Sequence, residues 1–290
     1  MNLKERYIEL LKKSLINEIY IENEVKLFYI IHCLFKKQPV SYEYLVNPEK
    51  ITGGLVQIVK EAKETGDTVT LQVMNSKGQM QPAGHLRNVL EFPHSMIGRK
   101  RIDNLHYCIE KVLSDDIPGD LIETGVWRGG ATIFMRGVLA AHNVNDRTVW
   151  VADSFEGLPP PTLPQDQGAD LTKDKFPILS VGLDRVKELF LRYDLLDDKV
   201  RFLKGWFKDT LPVAPIDQLS ILRLDGDLYE STMDALRALY DKVSIGGFVI
   251  VDDYNALEMC KMAVDDFREE RRIDDEIIKI DSLSVYWVKT

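Results

Sequence analysis

From Met96 to the end of the chain, short runs rich in β-branched residues alternate with amphipathic stretches of helical period. This alternation is typical of a parallel sheet whose two faces are both covered by helices. The predicted fold class is therefore α/β, with an open, mostly parallel sheet of seven strands and helices on both faces. The predicted strands are Asp120–Glu123, Val149–Asp153, Val200–Lys204, Leu219–Leu224, Phe248–Val251, Ile277–Ile280 and Val285–Val288.

The chain before Ser95 follows a different pattern and is predicted as a helical and irregular extension (1–94) ahead of the sheet domain (95–290). A second helical run covers Glu24–Phe35, and further on only a helix near Leu55–Glu64 and a strand near Thr68–Val73 can be assigned. Because the intervening region, residues 36–93, lies outside the predicted sheet, we expect it to serve as a lid over a binding site or as a contact between subunits. The first helix is predicted because apolar residues recur at helical spacing, at Tyr7, Leu10, Leu11 and Leu15.

Charge and cysteine usage exclude several classes of protein. The 37 Lys and Arg against 46 Asp and Glu give a formal net charge of -9, which would repel a nucleic acid. Cys33, Cys108 and Cys260 are scattered without a C-x-x-C pair, which suits a reducing compartment and disfavours zinc. The charged N-terminus does not resemble a signal peptide, and the apolar stretch Val25–Phe35 is too short to cross a bilayer. We expect a cytoplasmic protein without nucleic-acid or membrane partners.

A strand, a glycine turn and a helix follow one another in the segment LIETGVWRGG and the residues after it. Gly125 and Gly129 would let the backbone approach a ligand closely, and a helix N-terminus would offer unpaired N–H groups. Tight packing between a strand and a helix also selects glycine, so this turn alone leaves both interpretations open.

The second predicted strand ends in VWVADSFEGLP, and Asp153 there could accept hydrogen bonds from both hydroxyls of a ribose. Ser154, which follows it, is included in the predicted cofactor-binding set. The first strand ends in Glu123, an acidic group that would repel a pyrophosphate and suits a cationic sulfonium and amino group. After the third strand, Gly205 and Trp206 could line an apolar slot for an adenine ring, together with the next residue, Phe207. Trp206 is equally compatible with an ordinary core position.

Four carboxylates follow the fourth and fifth strands, in ILRLDGDLYES and GGFVIVDDYN. We take these carboxylates to lack a basic neighbour, so a hard divalent cation would neutralise them. Neither motif contains His or Cys, which favours Mg2+ or Mn2+ over zinc. The predicted metal ligands are Asp225, Asp252 and Asp253, whereas Asp227 is predicted equally as a ligand or a helix cap. Such a metal would hold a substrate hydroxyl, lower its pKa and orient it toward a methyl donor.

These motifs occur together and in one order, and from Ser95 to Thr290 the chain closely resembles the macrocin O-methyltransferase (TylF) family. That family includes sugar O-methyltransferases of mycinamicin and novobiocin biosynthesis. The opening RYIELLKKSLINEIY also resembles its N-terminal helix. The matching segments are SMIGRKRIDNL, GDLIETGVWRGGATIFMRGVL, DRTVWVADSFEGLPPP, LLDDKVRFLKGWFKDTLP, LRLDGDLYESTMDAL and GGFVIVDDYNA.

The resemblance implies a class I methyltransferase fold (Rossmann-like), S-adenosylmethionine as donor, dependence on Mg2+, a homo-oligomer, and hydroxyl acceptors on secondary metabolites. It implies that Met96 and Glu123 lie by the methionine part of the cofactor and Asp153 by its ribose. It also implies metal binding by Asp225, Asp252 and Asp253, with Asp225 as a possible catalytic base. Distantly similar catechol O-methyltransferases have a lysine three residues after the first metal aspartate, where this chain has Leu228.

Two departures from the family pattern concern the acceptor. Arg271 and Arg272 stand where relatives commonly have His-Gly, and residues 36–93 look longer than usual. A polyketide or peptide hydroxyl is therefore an alternative to a sugar, and the proline-rich segment Ser154–Pro177 is predicted to act as a lid. A metal-dependent hydrolase or nucleotide-sugar enzyme is disfavoured by the glycine turn with Asp153. An inactive methyltransferase-like scaffold remains the non-catalytic alternative.

Overall fold

A computed structural model describes residues 1–51, 55–65, 72–74, 78–82 and 92–290. These residues form two compact units. One contains residues 9–100, and the other contains residues 1–8 together with 101–290. Apart from residues 1–8, the sheet-bearing unit runs from Arg101 to the last residue, whereas the expected boundary lay between residues 94 and 95. Of the strand predicted near Thr68–Val73, residues 68–71 lie outside the described part.

The smaller unit is mainly helical. Its apolar core joins Ile21, Val25 and Phe28 to Ile51 and Val59. Its helices are α1 (Leu3–Leu15, of which the first residues belong to the other unit), α2 (Ile21–Lys36), α3 (Tyr42–Val46) and α4 (Leu55–Thr65), and β1 (Gln72–Met74) pairs antiparallel with β2 (Met80–Pro82).

One buried carboxylate joins two helices of this unit. Glu24 on α2 accepts hydrogen bonds from Lys63 on α4 (2.7 Å) and from Asn17 (2.6 Å). Burial lowers the pKa of Lys63, and the charge of Glu24 opposes that shift. Because neither charge has full access to water, each needs the other as a partner. The pair therefore favours one relative position of α2 and α4.

The larger unit is a sheet covered by helices, with strand order β5-β4-β3-β6-β7-β9-β8. The first five strands in that order are parallel, and β9 is antiparallel to both of its neighbours. The predicted mostly parallel seven-stranded sheet is confirmed. Its elements are α5 (Gly98–Ser114), β3 (Asp120–Thr124), α6 (Gly130–Ala141), β4 (Val149–Asp153), α7 (Leu183–Arg192), β5 (Val200–Lys204), α8 (Phe207–Thr210), β6 (Leu219–Leu224), α9 (Tyr229–Leu239), β7 (Val243–Val251), α10 (Glu258–Arg271), β8 (Ile278–Lys279) and β9 (Val285–Val288).

The central strand of this sheet, β6, is buried along its whole length. Its neighbour β7 starts at Val243, so the predicted start at Phe248 is wrong. A register shift separates the pair Leu219–Val243 from the pair Ile221–Phe248, and Gly246 within the intervening stretch has φ +82°. The adjacent Gly246 and Gly247 form an irregularity that the strand continues through.

The parallel strands direct their carboxyl ends to one edge of the sheet. Glu123 on β3, Asp153 on β4, and Asp225 and Asp252 just after β6 and β7 therefore share that edge. No helix in the described ranges is long and apolar enough to span a bilayer.

Candidate active site

The turn between β3 and α6 lies directly against the backbone that follows β6. Gly125 has φ +88°, and a Cβ built on it would lie 1.8 Å from the carbonyl oxygen of Asp225. The amide of Asp225 donates to the carbonyl of Thr124 at 2.9 Å, and Gly129 has φ +79° at the start of α6. Glycine is required at 125 by this close approach as well as by its conformation.

Asp153 holds the glycine turn from the neighbouring strand. Its Oδ2 accepts a hydrogen bond from the amide of Val126 at 2.8 Å, and its Oδ1 accepts one from Phe155 at 2.7 Å. Burial raises the pKa of Asp153, and these backbone donors oppose the shift. These donors hold the carboxylate at the carboxyl end of β4, and its contact with ribose hydroxyls stays a prediction.

Ser154 shapes the loop after Asp153. Its hydroxyl donates to the carbonyl of Gly157 at 2.6 Å and accepts from the amide of Glu156 at 3.0 Å. Its hydroxyl is used within the loop, so its predicted part in cofactor binding would be through this loop geometry.

The loop after β5 is attached to the same place. The amide of Gly205, which has φ +141°, donates to the carbonyl of Asp153 at 2.9 Å. Trp206 is half-buried at the start of α8, and Phe207 packs against the main apolar core. The accessible part of the Trp206 indole suits the predicted adenine contact, whereas Phe207 is mainly a packing residue.

The proline-rich segment Ser154–Pro177 and the residue after it are fixed at two points. Asp166 is fully buried and accepts hydrogen bonds from the amides of Tyr229 (2.6 Å) and Glu230 (3.1 Å), the first residues of α9. The indole N–H of Trp127, in the glycine turn, donates to the carbonyl of Ile178 at 2.9 Å. The segment thus joins the glycine turn to the helix that follows the carboxylate loop.

Replacing Asp166 by alanine is expected to lower the free energy of unfolding by about 1–3 kcal/mol, because two buried N–H groups lose their acceptor. Denaturant unfolding measures this change, and limited proteolysis should cleave the proline-rich segment faster. Asp170→Ala is the matched control, since Asp170 is exposed and bonds only to nearby Thr172. Equal stability and equal cleavage in the two variants would contradict this anchoring role.

Three carboxylates meet after β6 and β7. One oxygen from each of Asp225, Asp227 and Asp253 can be chosen so that all three lie within 4.8 Å of one another. Burial and the charge of Asp225 raise the pKa of Asp227 to about 7, and burial and the charge of Asp227 raise that of Asp253. Oδ2 of Asp253 is buried without a hydrogen-bond partner among the described residues. A divalent cation would favour the ionised forms of all three groups.

Asp227 belongs to this group because of its backbone conformation, which is left-handed with φ +59°. The alternative role as a helix cap is not what the structure has, because the first amides of α9 donate to Asp166. Asp252, by contrast, is not in the group. Its Oδ1 accepts from Arg223 and its Oδ2 accepts from Arg101 at 2.6 Å.

Arg223 was missed as a site residue, and the premise that these carboxylates lack a basic neighbour is wrong. This arginine lies on β6, directly opposite Glu123 on β3 in the strand register. Its Nη1 is 2.6 Å from Glu123 Oε1 and 2.6 Å from Asp225 Oδ2. The signal for it was available, because an arginine in an otherwise apolar, buried strand requires charged partners.

Glu123 is buried, and its second oxygen, Oε2, has no hydrogen-bond partner in the described part of the chain. Burial raises the pKa of Glu123 to about 8, against the opposing effect of Arg223. The free oxygen suits the predicted contact with a cationic amino group. Met96, the other residue predicted near the methionine part, is exposed within the unit of residues 9–100, and its predicted role stays a prediction.

A family profile matches the chain over nearly its full length, and individual enzymes match about two thirds of it. The sequence profile of the macrocin O-methyltransferase (TylF) family matches residues 4–289. Demethyldecarbamoylnovobiocin O-methyltransferase from Streptomyces niveus is 56% identical over 205 residues, which cover 68% of this chain and 76% of the relative. Mycinamicin III 3''-O-methyltransferase from Micromonospora griseorubida is 52% identical over 198 residues, which cover 67% and 78% of the two chains.

The solved structure of the O-methyltransferase NovP has a TM-score of 0.75 and 42% identity, and the match covers 99% of each chain. The predicted class I methyltransferase fold is thereby confirmed. The match of the family profile to residues 4–289 confirms the resemblance stated from the motifs. The chain belongs to the macrocin O-methyltransferase (TylF) family and is an O-methyltransferase that uses S-adenosylmethionine.

Proposed function

We propose that this protein transfers the methyl group of S-adenosylmethionine to a hydroxyl of a specialised metabolite and requires Mg2+ held by Asp225, Asp227 and Asp253. The observation that carries the metal is the convergence of these carboxylates within 4.8 Å, with one buried oxygen of Asp253 unpaired among the described residues. The ligand set differs from the one expected from the sequence, because Asp227 replaces Asp252. Both oxygens of Asp252 are already engaged by arginines.

When bound, the cation would lower the pKa of the acceptor hydroxyl and orient that hydroxyl for transfer. The protein's own residues bind and align the donor. Glu123 would accept from the amino group through its free Oε2, Asp153 would accept from the ribose, and Trp206 would contact the adenine. Gly125 and Gly129 keep the turn beside the donor free of side chains. Alignment of methyl group and hydroxyl is then the main requirement for transfer.

Asp225 is the candidate for accepting the proton of the acceptor hydroxyl. Its Oδ2 accepts from Arg223, which leaves Oδ1 for a ligand or a proton. The position three residues later is Leu228, which is buried, so no lysine base stands there. Asp225 therefore combines two roles in this proposal, as a metal ligand and as a base.

The acceptor class is a hydroxyl on a sugar, polyketide or peptide natural product. Two similar enzymes bear names of O-methyltransferases acting on demethyldecarbamoylnovobiocin and mycinamicin III, which supports antibiotic-like acceptors. We further propose that the unit of residues 9–100, including the predicted region 36–93, contributes to acceptor choice or to a homo-oligomeric contact. Sequence motifs of the donor site other than Met96 all lie outside it.

Labelled S-adenosylmethionine, incubated with the protein and a panel of hydroxylated metabolites, tests this function. The panel includes demethyldecarbamoylnovobiocin and mycinamicin III as probes. We expect label in at least one product, loss of that activity in EDTA, and recovery on adding Mg2+. Circular dichroism should show the protein still folded in EDTA, because the proposed ligands lie in the loops that follow β6 and β7 and are not part of the apolar core. Full activity in EDTA would contradict the metal mechanism. If the protein transferred no methyl group and instead bound another nucleotide tightly, the assignment of S-adenosylmethionine as donor would be contradicted.

A further inference from the structure

One guanidinium contacts carboxylates from both halves of the candidate site. Arg223 is 1% exposed, and its Nη1 lies 2.6 Å from both Glu123 Oε1 and Asp225 Oδ2. Its Nη2 donates to Oδ1 of Asp252. Glu123 is the predicted partner of the donor's amino group, and Asp225 is a proposed metal ligand. The proposed donor site and the proposed metal site therefore share one buried guanidinium group, that of Arg223.

A chain of hydrogen bonds on the side of Asp252 fixes the orientation of Arg223. Asp252 also accepts from Nη1 of Arg101 at 2.6 Å, and Nε of Arg101 donates to Asp281 at 2.8 Å. Asp281 in turn accepts from the amides of Leu283 and Ser284, both at 2.8 Å. The backbone of the loop before β9 thus ends a chain of hydrogen bonds that begins at Glu123.

This arrangement requires the geometry of arginine. A guanidinium is planar and carries its donors in a fixed fork, so Nη1 and Nη2 of Arg223 face different carboxylates at the same time. An ammonium in the same place keeps the charge, but its three N–H donors all leave one nitrogen at the end of a flexible stem, so they do not reproduce the spacing of Nη1 and Nη2. It can satisfy fewer of the three carboxylates, and the others would then move or take up protons.

We propose that Arg223, oriented by Asp252, is a positioning residue that sets the carboxylates of Glu123 and Asp225 and so couples the donor site to the metal site. This inference rests on the proposed function. Arg223 itself touches neither donor nor metal in this assignment. It acts by directing the free Oε2 of Glu123 to the donor and the free oxygen of Asp225 to the cation.

The deciding experiment compares Arg223→Lys with wild type by calorimetry, using S-adenosylhomocysteine in EDTA and, separately, Mn2+. We expect each affinity to fall by about tenfold to a hundredfold, as is usual when the group supporting a ligand is changed. Arg136→Lys is the matched control. Arg136 is also buried, on α6, and bonds to both oxygens of Asp197, through Nε to Oδ1 and through Nη2 to Oδ2. Its substitution should leave both affinities within about twofold.

A second variant covers the case in which Arg223→Lys does not fold. Asp252→Asn keeps the shape and one acceptor but removes the charge that orients Arg223. We expect weaker binding of S-adenosylhomocysteine and a higher Mn2+ concentration at half-saturation. The number of Mn2+ ions bound per protein at saturation should be unchanged. Circular dichroism and the melting temperature of every variant establish that the protein measured is folded.

The outcomes separate this inference from the proposed function. A wild type that binds neither S-adenosylhomocysteine nor Mn2+ overturns the proposed function and the inference with it. A wild type that binds both, with folded Arg223→Lys or Asp252→Asn binding both equally well, overturns only the inference. Loss of donor affinity without loss of Mn2+ affinity overturns the coupling, since Arg223 would then support Glu123 alone.

Discussion

Asp225→Ala should lower kcat/KM for methyl transfer at least about a thousandfold, which corresponds to about 4 kcal/mol of transition-state stabilisation. The substitution removes a proposed metal ligand and the candidate base, and it leaves Nη1 of Arg223 with Glu123 as its remaining carboxylate. The measurement is methyl transfer against Mg2+ concentration, using the acceptor found in the panel. We expect no recovery at any Mg2+ concentration, because a ligand has been lost and not merely weakened.

Asp217→Ala is the matched control for this experiment. Asp217 is exposed and lies just before β6, whereas Asp225 lies just after it, so the two aspartates mark opposite ends of one strand. The control should keep its activity within about twofold. Asp252→Asn gives a further contrast, since its activity should recover at high Mg2+. Asp225→Ala that recovered in the same way would contradict the role given to this residue.

Gly125→Ala should lower the free energy of unfolding by about 4 kcal/mol or prevent folding altogether. The new Cβ would lie 1.8 Å from the carbonyl oxygen of Asp225, and the residue would keep a positive φ of 88°. A backbone clash of this kind can be relieved only if the glycine turn and the loop after β6 move apart. For a domain of this size the melting temperature would fall by about 8–16 °C, which thermal unfolding by circular dichroism measures.

Gly168→Ala separates the two causes of this effect. Gly168 also has a positive φ, 91°, but nothing lies within 4 Å of a Cβ built on it. Its substitution should cost only the conformational strain, about 1–2 kcal/mol. If the two variants melted at the same temperature, the close approach of the two loops would not be the reason for glycine at 125. Any folded fraction of Gly125→Ala should also bind S-adenosylhomocysteine more weakly.

Much of the sheet could be predicted because its strands have clear limits in the sequence. The bounds of β4, β5, β6 and β9 agree with those predicted, since each is a short, mainly apolar run between polar or glycine residues. β3 is one residue longer than predicted, β8 is one residue shorter at each end, and β7 departs most, because it begins five residues earlier. Gly246 and Gly247 look like a turn, and only the pairing of β7 with β6 reveals that the strand passes through them.

The sequence predicts which residues lie near the candidate site, but not which way their side chains point. Strand order brings Asp225 and Asp253 to one edge, and both belong to the ligand set predicted from the motifs, which stays a prediction. The choice between Asp252 and Asp253 depends on which way each side chain points after β7, and adjacent residues point to opposite sides. Asp227 joined the group through a left-handed backbone that its sequence does not require.

The buried arginines were the larger omission. Arg101 and Arg223 are 151 and 29 residues from Asp252 in the chain, so no local pattern links the three. The proline-rich segment gave a similar difficulty. Its composition indicated a restricted loop, whereas the contact of Asp166 with α9 is a long-range pairing that only the fold creates.

Trp127 is an intrinsic fluorescence probe of the glycine turn. Its indole N–H is bonded to the carbonyl of Ile178, and the guanidinium of Arg128 lies 4.4 Å from the ring centroid. The emission of an indole changes with the polarity and charge around it, and this ring lies in the glycine turn and contacts the end of the proline-rich segment. Trp150 and Trp287, by contrast, are buried in the core and give a constant background. The fourth tryptophan, Trp206, is half-buried at the proposed adenine contact and also contributes to the signal. In a Trp206→Phe variant, intrinsic fluorescence therefore follows events at this turn without any attached label.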